Sequence, residues 1–199
     1  MWCPSLLVEI LFYGRGGQGG VTAANILVLA ALKQELYGQG FPFFGAERRG
    51  APIRAFARVS DKPIRRHGMF DDADVLVVLD PGLVKVGLAK NFKVRDGGII
   101  VVNSPSKDLI VPDNFCLQGE ARAFCVDATS IALRNKLVMA GWPVVNTAIL
   151  GALARALGIV SIESVENAIK EYFGGEAGEL NAKTAREAYE ETLCLGKIQ

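Results

Sequence analysis

Residues Leu6 to Tyr13 form an apolar run that opens straight into seven residues containing five glycines, Gly14-Arg15-Gly16-Gly17-Gln18-Gly19-Gly20, and then into a stretch rich in Ala and Leu from Val21 to Leu36. That succession constrains the fold more than any other feature of the chain. A short, mostly apolar run reads as a buried strand, and the following stretch is apolar nearly all round, as a buried helix is. The glycines between them supply a tight strand-to-helix turn. Similar runs recur at Val75–Leu79, closed by Asp80-Pro81-Gly82, and at Ile99–Val102, closed by Asn103-Ser104-Pro105. With helices predicted over Leu83–Phe92 and from Ala128, and a further strand over Ala121–Val126, the rhythm is β-α-β and the class is α/β.

Two other stretches have their own signatures. Ile53, Ala55, Ala57 and Val59 alternate with Arg54, Phe56, Arg58 and Ser60, which predicts a strand with one face wet or committed to a partner. The segment before it, Gly38 to Pro52, reads as turn-rich. The last third is helical: Ile149, Leu150, Leu153 and Leu157 mark one core stripe, and Ile162, Val165, Ile169 and Phe173 another. Gly174-Gly175 breaks the pattern ahead of a charged, exposed terminal helix from Glu179 to Thr192. No internal repeat, low-complexity tract or long linker divides the 199 residues, so a single domain over 1–199 is expected. The expected architecture is Rossmann-like, with a mostly parallel central sheet flanked by helices and a helical C-terminal third.

Composition narrows the partners. With 22 basic and 21 acidic residues and a net charge of +1, no overall field draws the chain to nucleic acid or an anionic membrane. Four cysteines, Cys3, Cys116, Cys125 and Cys194, stand apart from one another, and His67 is the single histidine. That spacing excludes a closed zinc site and a self-contained iron–sulfur cluster. Free thiols, the lack of an export signal and the absence of an apolar run of roughly 20 residues predict a cytoplasmic protein with no membrane contact.

The glycine loop lies where backbone N–H groups and the positive end of a helix dipole converge, a junction that favours phosphate. Gly14, Gly16 and Gly19 satisfy G-x-G-x-x-G, but the acidic residue required about 20 positions later for a dinucleotide ribose is missing. No Lys-Ser/Thr follows to make a P-loop. Two readings therefore stand side by side, a tight turn and a phosphate contact. Arg15 and Gln18, costly choices for a mere turn, favour contact.

Beyond it, GFPFFGAERRGAPIRAFARVSDKPIRR gathers Phe41, Phe43 and Phe44 with Arg48, Arg49, Arg54, Arg58, Arg65 and Arg66 against only Glu47 and Asp61. Phe next to Arg suits the centre of a protein interface, and the bounded loop around Glu47, Arg48, Arg49 and Gly50 reads as a docking or ligand-contact element. Arg58, Arg65 and Arg66 read as solvated. Asp71 and Asp72 cap a turn, and Asp80 closes one strand and opens the next helix. No catalytic constellation is present, and His67 is a surface residue. The chain reads as a component of something larger.

Four segments resemble a known family: GRGGQG at Gly14–Gly19, FPFFGAERRGAP at Phe41–Pro52, Ala73-Asp74 ahead of VLVVLD, and NTAILGA at Asn146–Ala152. Together they look like the gamma subunit of pyruvate:ferredoxin oxidoreductases and their 2-oxoisovalerate relatives, over nearly the whole chain. The resemblance implies oxidative decarboxylation of a 2-oxoacid, pyruvate or alternatively 2-oxoisovalerate or 2-oxoglutarate, to an acyl-coenzyme A with electrons passed to ferredoxin. It implies that thiamine diphosphate and iron–sulfur clusters are held by alpha-, beta- and delta-type companion subunits and not by this chain. It also implies that Gly14, Arg15, Gly16, Gly17, Gln18, Gly19 and Gly20, with Thr22 and Asn25, lie near the coenzyme A phosphates. Glu47, Arg48, Arg49 and Gly50 would then lie near the companion subunits or the substrate channel, with Phe43 and Phe44 beside them part of the interface read from the residues. A free-standing nucleotide-binding protein is the competing reading.

Overall fold

The computed structural model describes residues 6–43, 50–139 and 141–199. An eight-stranded sheet forms the middle layer. Its centre is parallel: β1 (Leu7–Arg15), β4 (Asp72–Val78), β5 (Lys93–Asn103) and β7 (Ala121–Val126) lie in the order β7-β5-β4-β1, and the short β6 (Cys116–Leu117) also pairs with β5. Antiparallel strands flank this centre, with β3 (Pro52–Ser60) and then β2 (Tyr37–Phe43) beside β1, and β10 (Leu193–Ile198) beside β7. β1, β4 and β5 contain the three apolar runs that predicted buried strands, and β7 is the further strand expected over Ala121–Val126.

One face of the sheet is covered by α1 (Gly20–Leu32), α3 (Ala128–Arg134), α4 (Asn146–Leu157), α5 (Ile162–Phe173) and α6 (Gly175–Glu191). The other carries the short α2 (Pro81–Lys85) and a 3-10 turn at Leu88–Asn91, so the single helix expected over Leu83–Phe92 is broken at Gly87 (φ 76°). A small hairpin of β8 (Val138–Met139) and β9 (Trp142–Pro143) leads into α4. None of the described helices is long and apolar enough to cross a membrane.

Helix α1 stops at Leu32, four residues before the expected end. Glu35 takes a left-handed conformation (φ 60°), and the Leu36 amide reaches back to the Ala31 carbonyl at 3.1 Å. This is a reversed six-residue closure in which a non-glycine takes the usual glycine position. The chain thereby turns at once into β2, a strand the turn-rich composition of Gly38–Pro52 concealed. Its glycines have a packing cause: a Cβ on Gly38 would lie 2.8 Å from Val28 Cγ1, and one on Gly40 3.2 Å from Asn25 Oδ1. α1 rests against that face of β2, and only glycine lets it. Pro42 is compatible with the strand because β2 lies at the sheet edge.

The alternating strand β3 is not wet on either face. Ala55, Ala57 and Val59 pack under α1, while Phe56 and Arg58 are buried on the opposite side. There Phe41 stacks on Phe56 at 5.2 Å and Phe70 meets it edge-on at 4.9 Å. Arg58, expected in solvent, is 2% exposed. Its Nε donates to Glu9 Oε1 at 2.8 Å and its Nη2 to the Gly68 carbonyl at 2.9 Å, so the segment after β3 folds back over it. Arg95 completes the cluster, donating to Glu9 Oε2 at 2.7 Å and to Asp74 Oδ1 at 2.8 Å. Burial alone would push the Glu9 carboxyl up, but hydrogen bonds from Arg95 and Arg58 and their charges outweigh it and hold Glu9 below the usual range.

The terminal helix α6 is not an exposed appendage. Gly178, Ala182, Ala185 and Ala188 are buried along one side, and Gly151 of α4 lies directly against the Ala185 carbonyl. Residues this small leave no conspicuous hydrophobic stripe in the sequence, yet they permit close helix-helix approach.

Candidate functional site

Arg15 ends β1 and Gly20 begins α1, so the turn between them is Gly16 to Gly19. Gly17 and Gly19 have φ of 98° and 80°, conformations that any side chain would strain. Gly19 also sits on Asn146, whose Nδ2 would be 2.7 Å from a Cβ there. Gly14 is close-packed too, with Leu79 Cβ at 3.1 Å from the same construction. The NTAILGA motif thus begins under the glycine loop, which its place late in the sequence did not reveal.

Ala23 makes the first helical hydrogen bond of α1, to the Gly19 carbonyl. The amides of Gly20, Val21 and Thr22 precede it, no side chain caps them, and no acidic residue occupies the first turn. Unpaired N–H groups and the macrodipole make this end attractive to an anion. α1 leaves β1 towards one face of the sheet while α2 leaves the neighbouring β4 towards the other. Ligands of open α/β sheets bind in the crevice at such a divergence.

Arg15 and Gln18 have internal partners that account for much of their cost. Arg15 Nε donates to Asp80 Oδ2 at 2.8 Å and its Nη1 to the Gly50 carbonyl at 3.1 Å. Gln18 Oε1 accepts from the Arg15 amide at 2.7 Å, and its Nε2 donates to Asp80 Oδ2 at 3.3 Å. Asp80 Oδ1 caps α2 by accepting from the Gly82 amide at 2.7 Å, as its place before Pro81-Gly82 suggested. These contacts lock the turn and tie β1 to β4.

The loop also meets the end of the FPFFGAERRGAP segment. The Gly16 amide donates to the Ala51 carbonyl at 2.9 Å, and the Gly50 amide to the Gly16 carbonyl at 3.4 Å. Two motifs 30 residues and more apart in sequence are therefore one surface. Thr22 lies half-buried in the first turn of α1, whereas Asn25 lies farther along against Gly40 of β2, away from the loop. Phe43 is half-buried with Arg54 above its ring at 4.2 Å. Phe44, Glu47, Arg48 and Arg49 fall outside the described residues.

Tyr13, which residue-by-residue reading passed over, lies opposite Arg54 in the β1–β3 register. Burial pushes the Tyr13 phenol up, opposed by the nearby charges of Arg54 and Arg15. Alternation had marked Arg54 only as the outward partner of Ile53 and Ala55.

Known proteins are similar to this chain along most of its length. The profile of the family described as Pyruvate ferredoxin/flavodoxin oxidoreductase matches residues 9–191. The pyruvate/ketoisovalerate oxidoreductases common subunit gamma of Thermococcus litoralis is 50% identical over 187 residues, covering 94% of this chain and 98% of the relative. Pyruvate synthase subunit PorC of Methanothermobacter thermautotrophicus is 48% identical over 93% of this chain and 96% of its own. The crystal structure of pyruvate oxidoreductase subunit PORC from Thermotoga maritima superposes with a TM-score of 0.78 at 35% identity, covering 95% and 98% of the two chains. Similarity this close to full length, over a fold of the same architecture, means that the chain belongs to the pyruvate ferredoxin/flavodoxin oxidoreductase family, as one of its gamma-type members.

Proposed function

We propose that the chain serves as the gamma subunit of a complex that oxidatively decarboxylates a 2-oxoacid, pyruvate in the first place, forming acyl-coenzyme A and passing electrons to ferredoxin. In this reading alpha-, beta- and delta-type companions hold the thiamine diphosphate and the iron–sulfur clusters, and this chain walls the site and receives coenzyme A. The observation that carries the assignment of coenzyme A is the uncapped N-terminus of α1, behind glycines that keep side chains away, at the crevice where α1 and α2 diverge. The thiamine chemistry would take place on the companion subunits. This chain's residues would place the phosphates of the acyl acceptor and contribute to the companion contact through Phe43, Phe44, Glu47, Arg48, Arg49 and Gly50.

Gly17 is a poor position for a test, since its φ of 98° would make any larger residue a folding defect. Thr22→Glu is better. A carboxylate in the first turn favours the helix and repels a phosphate at the same amides. In the assembled complex this variant should keep its melting temperature and raise the apparent KM for coenzyme A on the order of tenfold, with that for the 2-oxoacid little changed. An unchanged coenzyme A dependence in an assembled Thr22→Glu complex would remove the phosphate from this loop and leave it a tight turn.

A further inference from the structure

Across β2, β3 and β1 the side chains on the α2 side of the sheet form three successive rungs in register. They are Gln39–Arg58–Glu9, Phe41–Phe56–Leu11 and Phe43–Arg54–Tyr13. The outer two are alike in placing an arginine in the middle strand beside aromatic rings, but they are not alike in charge. Arg58 is neutralised by Glu9, which Arg95 and Asp74 join. Arg54 has no carboxylate partner among the described residues. Its guanidinium is held 4.2 Å over the Phe43 ring and 5.7 Å from that of Phe92, and Phe92 in turn meets Tyr13 edge-on at 4.8 Å. Tyr13 is 4% exposed, and no hydrogen bond to its hydroxyl is found among the described residues. Neighbouring Arg15 is already committed to Asp80.

Aromatic faces on a guanidinium strip water from its planes and leave the N–H edge for a planar or tetrahedral anion. The Tyr13 hydroxyl adds a neutral donor on the adjoining strand. This rung comes one residue before Gly14, at the end of β1 from which the glycine turn leads into the uncapped amides of α1. Main-chain amides approach a pyrophosphate diester closely and carry no full charge, whereas a terminal phosphomonoester near −2 calls for a cation. Coenzyme A carries both groups.

We propose that Arg54 and Tyr13 form a separate anion subsite that reads the 3′-phosphate of coenzyme A, while the glycine loop receives its pyrophosphate. The assignment rests on the coenzyme A reading given above. The assembled complex is assayed with coenzyme A and with 3′-dephospho-coenzyme A as acyl acceptors, in wild type, Arg54→Gln, Arg54→Lys and Tyr13→Phe. Wild type should prefer coenzyme A by about tenfold or more in kcat/KM, a preference that charge-assisted hydrogen bonds can supply. Arg54→Gln should bring the two acceptors within about twofold of each other, Arg54→Lys should keep part of the preference, and Tyr13→Phe should reduce it. Calorimetry on the same complexes gives a second readout: adenosine 3′,5′-bisphosphate should bind more tightly than 5′-AMP to wild type and equally to Arg54→Gln. An undiminished preference in Arg54→Gln overturns the subsite. So does an equal loss for both acceptors accompanied by weaker assembly, which would make Arg54 a contact for an acidic companion surface. A complex that forms product without any dependence on coenzyme A would overturn the functional reading and this subsite with it.

Discussion

Gly151→Ala should be among the most damaging single-methyl changes in the chain. The added Cβ would lie 1.9 Å from the Ala185 carbonyl oxygen and 2.8 Å from its carbon, both backbone atoms of α6 that no rotamer change can move. α4 and α6 must separate, and the small buried residues Ala182, Ala185 and Ala188 then lose their contacts with α4. Overpacking of this kind costs about 3 kcal/mol, or a fall in melting midpoint of roughly 6–12 °C for a domain of this size. Gly20→Ala is the control: its Cβ would meet Phe12 Cβ at an ordinary 3.9 Å in helical backbone, and its melting midpoint should stay within about 2 °C of wild type. A Gly151→Ala protein that melts with wild type would show that the helix pair adjusts without cost and that the close approach is incidental.

Glu9→Ala should be comparably severe for a different reason. It leaves Arg58, whose side chain is 2% exposed, buried with carbonyls and Gln39 but no counter-charge. Arg95 keeps Asp74 and has a route to water. Breaking a buried pair by removing one partner costs about 3–5 kcal/mol, because the surviving charge is stranded. The pH dependence follows from the depressed Glu9 carboxyl. A group whose folded pKa lies below its unfolded value stabilises the protein above the unfolded value, near 4.5, and this contribution is lost as pH falls through the folded value. Wild type should therefore shed stability below about pH 4.5, and Glu9→Ala should show a flatter acid limb. Urea denaturation across that range measures both. Equal acid limbs would mean that the cluster contributes nothing that depends on Glu9 ionisation.

How much of this was legible in the sequence depended on whether a residue's role was local. The buried parallel strands, the glycine turn and the Asp80 cap follow from runs and turn residues that interact with near neighbours. β2 was hidden because Gly38, Gly40 and Pro42 serve contacts with α1 and an edge position, which composition reads as a turn. The buried face of α6 was hidden because Gly and Ala carry little hydrophobic signal while allowing the closest packing. Arg58 looked like a solvated strand residue, since nothing nearby in sequence announces a carboxylate 49 positions earlier. At the candidate site the loop itself was plain, but its contact with Gly50 and Ala51 and the Phe43–Arg54–Tyr13 rung exist only once β1, β3 and β2 are in register. The bonds of Arg15 and Gln18 to Asp80 were equally out of sight, because they span more than 60 positions.

Reconstitution decides whether this chain works as the gamma subunit of a 2-oxoacid oxidoreductase. The chain and its alpha-, beta- and delta-type companions are purified separately and together, and 2-oxoacid- and coenzyme A-dependent reduction of ferredoxin is measured with and without this chain. The isolated chain should be colourless and inactive, the complex should retain it in stoichiometric amount, and acyl-coenzyme A formation should collapse when it is left out. Full coenzyme A-dependent turnover by the companions without it, or turnover by this chain alone, would contradict the account.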